Sequence, residues 1–164
     1  LKIDYQMQAL KSLRKGIQDY DRRRGWRGPI TNKLTNKNWE KIIPQYELDP
    51  TLDWKLVEII SLVNNEIKFK TIYEKKENIT ETLTYENLKW SIPKKKLIKD
   101  IHKVGDIIFV KKENSIWHLK QYPKVNGGIV VLNPFAGDVL AVVGGVTFKR
   151  SEFSRGTQAK RQQG

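Results

Sequence analysis

Short runs of β-branched and aromatic residues, separated by turn-forming residues, fill the chain from Trp54 to Tyr122. The runs span residues 54–63, 66–73, 78–84, 107–111 and 116–122. Their length and composition are typical of strands, and the pair Asn64-Asn65 between the first two tolerates the positive φ of a tight hairpin turn. We therefore predict five short strands, of which the first three pair consecutively and the last two form a hairpin around Glu113-Asn114.

Five strands in this grouping are typical of a small Greek-key barrel of the oligonucleotide-binding (OB) type, closed or partly open. Tyr85–Trp90 is predicted to be a short helix or turn, Lys94–Lys103 a charged connector, and Pro123 the end of the barrel. The fold class expected is mainly β, an OB-like five-stranded barrel with an N-terminal helix. The predicted core consists of Val57, Ile59, Leu62, Ile67, Phe69, Leu83, Leu88, Trp90, Ile108, Val110, Trp117 and Leu119.

Both ends of the chain also carry a structural signal. Residues 4–24 have the periodicity of an amphipathic helix, and Gly25 is suited to the left-handed position that follows a helix. Residues 125–132 and 138–143 predict a third hairpin, which is apolar on both faces. Such a hairpin is typical of strands inside a larger sheet, and if uncovered it would favour a homodimer.

The chain is strongly basic, with 31 Lys and Arg against 18 Asp and Glu and a net charge of +13. This charge favours an anionic partner, with nucleic acid first and an anionic membrane surface second. In an OB barrel the second strand contributes to a stacking platform, where Phe69 and Tyr73 could stack on bases and Lys68 and Lys70 contact phosphates. Phe69 nevertheless shares a strand face with Ile67, as a core residue would. The residues alone leave single-strand binding and a structural barrel equally open.

No catalytic centre, metal site or cofactor site is predicted. Cysteine is absent, and His102 and His118 lack the spacing of metal ligands, so that His102 is expected to be a loop residue. Two segments have the Ser-x-x-Lys spacing of an acyl-serine enzyme, beginning at Ser12 and at Ser91. The first lies in mid-helix and the second precedes Pro93, so neither suits a nucleophile. The run Lys94-Lys95-Lys96 is interpreted as a solvated loop.

Three segments resemble the class A penicillin-binding proteins of the 1A type, bifunctional enzymes that build peptidoglycan. The first contains Tyr20-Asp-Arg-Arg-Arg-Gly-Trp-Arg-Gly-Pro29, and the second combines Leu88-Lys-Trp90 with Val104-Gly-Asp-Ile-Ile108. The third runs from Val130 to Gly164 and includes Gly137-Asp-Val-Leu-Ala-Val-Val-Gly-Gly145. Gly156 and Gln163 depart from the alanine and proline that are usual in the family.

The resemblance implies that an OB-like domain at 26–124 is inserted early in a transpeptidase domain. That domain would contribute a helical piece at 1–25 and a hairpin with a connector at 125–164. The nucleophilic serine is expected immediately after Gly164, with Arg155, Gln158 and Arg161 near the transpeptidase site. The parent would be a glycosyltransferase and D,D-transpeptidase at the periplasmic face of the inner membrane, anchored by a transmembrane helix outside this chain. Implied partners are the rest of the synthase, peptidoglycan or its lipid-linked precursor, and a periplasmic regulator. The alternative is a stand-alone OB module that binds single-stranded nucleic acid.

Overall fold

The computed structural model describes residues 3–46, 48–73, 79–124, 129–132, 139–143 and 148. The chain divides into two compact units. The terminal unit comprises Leu1–Arg23, Glu47–Leu52 and Pro123–Gly164, and the β unit comprises Arg24–Tyr46 and Asp53–Tyr122. Residues 47–52 were not predicted to group with the two ends of the chain.

The terminal unit is built on one long helix and one hairpin. Helix α1 spans Ile3–Arg23, close to the predicted range, and Gly25 has the predicted positive φ, at +96°. The hairpin pairs β7, Ile129–Leu132, with β8, Val139–Val143, and helix α1 lies against it. Within the described residues, no helix has the length and apolar character needed to cross a bilayer.

In the part that the structure describes, the β unit contains six antiparallel strands in one sheet. They are β1 (Thr31–Asn32), β2 (Lys55–Val63), β3 (Glu66–Thr71), β4 (Glu81–Thr84), β5 (Asp106–Glu113) and β6 (Ile116–Lys120). The hydrogen-bonded order is β6-β5-β2-β3-β4, and the two-residue β1 pairs with the start of β5. Two one-turn helices join the strands, α2 at Trp39–Ile42 and α3 at Ile98–Ile101. The five predicted strands are all present.

Both tight hairpins of the β unit turn through residues with positive φ. Asn64 and Asn65 have φ of 54° and 58°, as the sequence predicted. In the second hairpin Glu113 pairs with Ile116, so the turn residues are Asn114 and Ser115, with φ of 51° and 64°. The predicted centre at Glu113-Asn114 was one residue too early, because alternation defines a strand better than it defines the end of that strand.

The barrel was expected to be closed or partly open, and the structure has the partly open form, since the described residues leave the sheet open between its two ends. Strands β4 and β6 lie next to one another, but no ladder of hydrogen bonds joins them among the described residues. Strand β4 has only four residues before the chain enters 3₁₀ turns, which leaves little length for a second ladder. The β unit is therefore the partly open form of an OB-like barrel.

The main hydrophobic cluster of the β unit consists largely of predicted residues. Val57, Ile59, Ile67, Phe69, Leu83, Leu88, Ile108, Val110 and Leu119 are at most 1% exposed. Leu62, Trp90 and Trp117 are partly buried against them. In strand β2 the extra residue Ile60 forms a bulge opposite β3, and such a bulge bends the strand around the core. Ile98 of α3, 5% exposed, was missed because it belongs to the segment predicted as a charged connector. The other buried hydrophobic residues of the β unit that were not predicted are Ile43, Trp54, Ile107 and Phe109.

Candidate functional site

The side chains predicted to contact nucleic acid lie on or just beyond β3, but they do not share one exposed surface. Phe69 is fully buried, pairs with Ile59 in β2, and meets the Trp117 ring edge-on with ring centroids 5.3 Å apart. A ring enclosed in this way cannot stack on a base. In this structure Phe69 is therefore a core residue and not a surface contact, which corrects its place among the candidate residues.

The other three candidates have different environments. Lys70 and Tyr73 are exposed, and Tyr73 lies beyond the end of β3. Lys68 donates a hydrogen bond to Thr82 Oγ1, and its Nζ lies 3.8 Å from a Glu66 carboxylate oxygen. Only one of the two candidate rings is thus available at the surface, so the described residues do not form the predicted pair of stacking rings.

Ser91 and His102 form a buried polar contact that the sequence did not predict. Ser91 Oγ lies 2.6 Å from the Leu88 carbonyl oxygen and 2.8 Å from His102 Nε2. Because a carbonyl oxygen can only accept, the Ser91 hydroxyl donates to Leu88, and His102 Nε2–H donates to Ser91. The hydroxyl proton of Ser91 is therefore directed away from the imidazole, and His102 is not arranged as its base.

His102 is fully buried, which corrects its interpretation as an ordinary loop residue. Its ring packs on Trp26 with centroids 5.3 Å apart, and Trp26 meets Trp90 edge-on at 5.6 Å. Burial lowers the pKa of His102 to about 4, so the imidazole is neutral at pH 7. His102 Nδ1 is buried without a hydrogen-bond partner among the described residues. The cluster fits a structural role, because a neutral, buried ring packed on Trp26 contributes packing.

The second Ser-x-x-Lys match does not place its two side chains in a shared pocket. Ser91 is 2% exposed, whereas Lys94 is exposed in the turn after Pro93. In the first match Ser12 and Lys15 are both exposed on α1. Neither arrangement encloses a hydroxyl beside a desolvated amine, as nucleophilic catalysis by such a pair requires.

The terminal unit contains a buried ion pair that the sequence also missed. Arg14 Nη2 lies 2.9 Å from Asp49 Oδ2, and Arg14 Nη1 donates to Thr51 Oγ1 at 2.9 Å. Burial alone would raise the pKa of Asp49, but hydrogen bonds from Thr51 and the charge of Arg14 outweigh it and hold that pKa below its usual range. The Asp49 amide donates to the Phe148 carbonyl at 2.9 Å. Arg14 thus fastens residues 49–51 to helix α1.

The carboxylates of the described residues do not gather into a metal-binding group. No cluster of three or more histidine, aspartate or glutamate side chains occurs in the part of the chain that the structure describes. The buried Asp106 instead accepts hydrogen bonds from Asn32 Nδ2 at 2.8 Å and from the Lys103 amide at 3.0 Å. Burial raises the pKa of Asp106, and these contacts oppose that rise. Its role is to join β1 to the start of β5.

Comparison with known proteins places this arrangement in a family. The profile of the penicillin-binding protein OB-like domain matches residues 26–125. Penicillin-binding protein 1A of Rickettsia felis is 39% identical over 99% of the chain, and that of Escherichia coli K12 is 31% identical over 97%. The chain belongs to the family of the penicillin-binding protein OB-like domain. A crystal structure of penicillin-binding protein 1A from Haemophilus influenzae covers 88% of the chain, with a TM-score of 0.62 and 25% identity.

Family membership confirms the resemblance seen in the sequence and the OB-like character of the β unit. The chain spans about a fifth of each relative, 20% of the Rickettsia and Escherichia proteins and 21% of the Haemophilus chain. The predicted transpeptidase residues Arg155, Gln158 and Arg161 lie outside the described residues, and their role stays a prediction. The division at 26–124 likewise stays a prediction.

Proposed function

We propose that this chain is a non-catalytic part of a bifunctional peptidoglycan synthase with glycosyltransferase and serine-type D,D-transpeptidase activities. The observation that carries the proposal is the similarity to penicillin-binding proteins 1A over 99% of the chain, which extends to both sides of the OB-like domain. The OB-like domain is inserted near the start of the transpeptidase domain. There it serves in contacts between domains, or in binding a periplasmic regulator or the cell wall.

The transpeptidase chemistry requires a nucleophile, which we place immediately after Gly164. Arg155, Gln158 and Arg161 would orient the approach to that serine at the start of a helix, where the helix dipole favours developing negative charge. Within the described residues, Ser91 is enclosed by its contacts with Leu88 and His102, which supports a reaction centre elsewhere.

The location and partners follow from this assignment. The synthase would stand at the periplasmic face of the inner membrane, anchored outside this chain. It would contact peptidoglycan or its lipid-linked precursor through its remaining domains, and the hairpin β7–β8 is the expected surface for a homodimer. Among the described residues β7 and β8 pair only with each other, so their outer edges offer backbone groups to a second copy.

A fluorescent penicillin tests the proposal. The full-length protein should be labelled covalently, and excess unlabelled penicillin should prevent the labelling. Replacing the serine after Gly164 with alanine should abolish the label, whereas Ser91→Ala should leave it in place if the variant folds. The 164-residue chain alone should remain unlabelled. Labelling of Ser12 or Ser91, or a full-length protein that takes up no penicillin, would contradict the assignment.

Single-stranded nucleic acid is the alternative partner, favoured by exposed Lys70 and Tyr73 and by the net charge of +13. Burial of Phe69 counts against it, since that ring was half of the expected stacking platform. Fluorescence anisotropy with a labelled oligonucleotide at physiological salt separates the two functions. Tight binding that Tyr73→Ala weakens would favour the nucleic-acid function.

A further inference from the structure

Residues 92–101, here called the basic loop, project four lysines and a leucine from the β unit. Lys94, Lys95, Lys96 and Lys99 are all exposed, and Leu97 between them is 54% exposed. A large apolar side chain left in water among cations is not explained by the core, which takes Ile98 and part of Ile92 from this loop. The sequence interpretation of a merely solvated lysine run leaves Leu97 without a role.

Hydrogen bonds at the base of the basic loop and within it, together with the buried Ile98, fix its conformation. At its base His102 Nε2 and Ser91 Oγ are joined at 2.8 Å, and the His102 amide donates to the Ile98 carbonyl at 2.8 Å. Ile98 is anchored in the core, and the Asp100 carboxylate accepts a 2.8 Å hydrogen bond from the Leu97 amide. The lysines are therefore presented on a preformed support, which lowers the entropic cost of engaging a partner.

The tip of the loop contains a backbone conformation unfavourable for lysine. The Lys96 amide donates to the Pro93 carbonyl at 3.1 Å, which closes a four-residue turn, and Lys95 has φ of +66°. A turn with positive φ at its third residue favours glycine or asparagine. A lysine held there carries local strain, and such strain is found preferentially at functional positions.

The positive charge of the basic loop is also left uncompensated. None of the ion pairs found among the described residues involves Lys94, Lys95, Lys96 or Lys99, although several lysines elsewhere in the β unit have carboxylate partners. Asp100, the acidic residue within the loop, is engaged with a backbone amide. Lys103 adds a further ammonium group, which donates to the Lys99 carbonyl at 2.6 Å.

We propose that the basic loop docks on the anionic headgroups of a phospholipid bilayer, with Leu97 entering the interface among the lysines. Lysines around an exposed apolar residue are the chemistry of interfacial membrane contacts. The cleft beside the loop favours a broad surface over an acidic peptide. It is lined by Leu62, Leu97, Ile98 and Lys99 and also by Glu66, whose carboxylate lies 3.8 Å from Lys68 Nζ and would still oppose an acidic peptide seated there. A flat bilayer touching the tip avoids that carboxylate.

This contact goes beyond the proposed function, because an OB-like domain of the synthase does not require a membrane-binding loop. Binding of the 164-residue chain to sedimented vesicles of phosphatidylglycerol and phosphatidylcholine, compared with pure phosphatidylcholine, tests it at physiological salt. Each lysine at an anionic surface contributes about fivefold to the partition coefficient. The variant with Lys94, Lys95 and Lys96 all changed to Gln should therefore bind about a hundredfold more weakly.

Two further variants make the test specific. Leu97→Ala should weaken binding about fivefold, because roughly half of a leucine side chain loses its apolar contact. The matched control changes Lys11, Lys37 and Lys41, which are also exposed, to Gln and removes the same net charge. It should lose at most a few-fold in binding, and tryptophan emission should show that each variant is folded.

The outcomes separate the proposal from its rivals and from the synthase assignment. Binding limited to phosphatidylglycerol vesicles, and weakened selectively by the basic-loop variants, supports the proposal. An equal loss in the control triple variant would show that net charge alone is responsible and overturn it. No vesicle binding, equal binding to neutral vesicles, or tighter binding to an acidic peptide or oligonucleotide would also overturn it. The penicillin-labelling result is independent of all these outcomes.

Discussion

Replacing Phe69 with alanine separates a core role from a binding role for this residue. Phe69 lies on β3, between β2 and β4, is fully buried, and contacts Trp117 edge-on. Truncating a buried phenylalanine costs about 3–5 kcal/mol, which includes the transfer of the ring and the cavity left behind. The open edge between β4 and β6 offers some relaxation around the cavity, so we expect about 3 kcal/mol for Phe69→Ala.

Urea unfolding followed by tryptophan fluorescence is suited to this measurement. The five tryptophans, at positions 26, 39, 54, 90 and 117, all lie in the β unit, so their emission reports on that unit. With a slope of about 1.5 kcal/mol per molar urea, the loss should lower the midpoint by about 2 M. Tyr73→Ala is the matched control: its side chain is 69% exposed, and the midpoint should barely change.

The reasoning would be refuted if Phe69→Ala kept the midpoint of the unchanged chain while losing affinity for an oligonucleotide. That pattern would mean that the ring is accessible and acts as a stacking surface. A lower midpoint for Phe69→Ala, with Tyr73→Ala unchanged, would confirm the core role.

Two further predictions concern buried charged or titratable groups. The folded pKa of His102, about 4, lies below the unfolded value near 6.5, so the unfolded chain binds the proton first. The free energy of unfolding of the β unit should therefore fall by about 3 kcal/mol between pH 6.5 and pH 4. His102→Gln should remove that part of the pH dependence, as measured by urea titrations at each pH. If the free energy of unfolding depended on pH in the same way in the variant, the burial of His102 would be contradicted. Arg14→Ala leaves the carboxylate of Asp49 without its ion-pair partner and should destabilise the terminal unit by about 3 kcal/mol, measured by hydrogen exchange of the α1 amides. Lys15→Ala, which removes an exposed pair with Asp19, should leave that exchange unchanged, and equal effects of the two variants would count against the buried pair.

The sequence predicted those features for which a short local pattern is compatible with only one kind of secondary structure or turn. Alternating runs predicted the five strands of the barrel, because residues two apart on a strand face the same side. Asn64-Asn65 predicted its turn because few residues other than glycine adopt two successive positive φ values. Gly25 predicted the end of α1 for a similar reason.

The candidate surface residues could be predicted less well. The alternating pattern of β3 predicted that Phe69 lies on the same strand face as Ile67, but it could not predict whether other side chains bury that face. Trp117 covers it from a strand nearly fifty residues further along the chain. Lys94–Leu97 likewise appeared as an ordinary charged run, since the support beneath it depends on the contact between Ser91 and His102.

By itself, then, the sequence determined the strand periods, the tight turns, most of the core and the family, since each of these is encoded in residues close together along the chain. Tertiary structure alone decided that the sheet stays open between β4 and β6, that Arg14 meets Asp49, and that His102 is buried. The physical reason is distance along the chain: Arg14 and Asp49 are 35 positions apart, and no local propensity reports which polar groups burial will bring together.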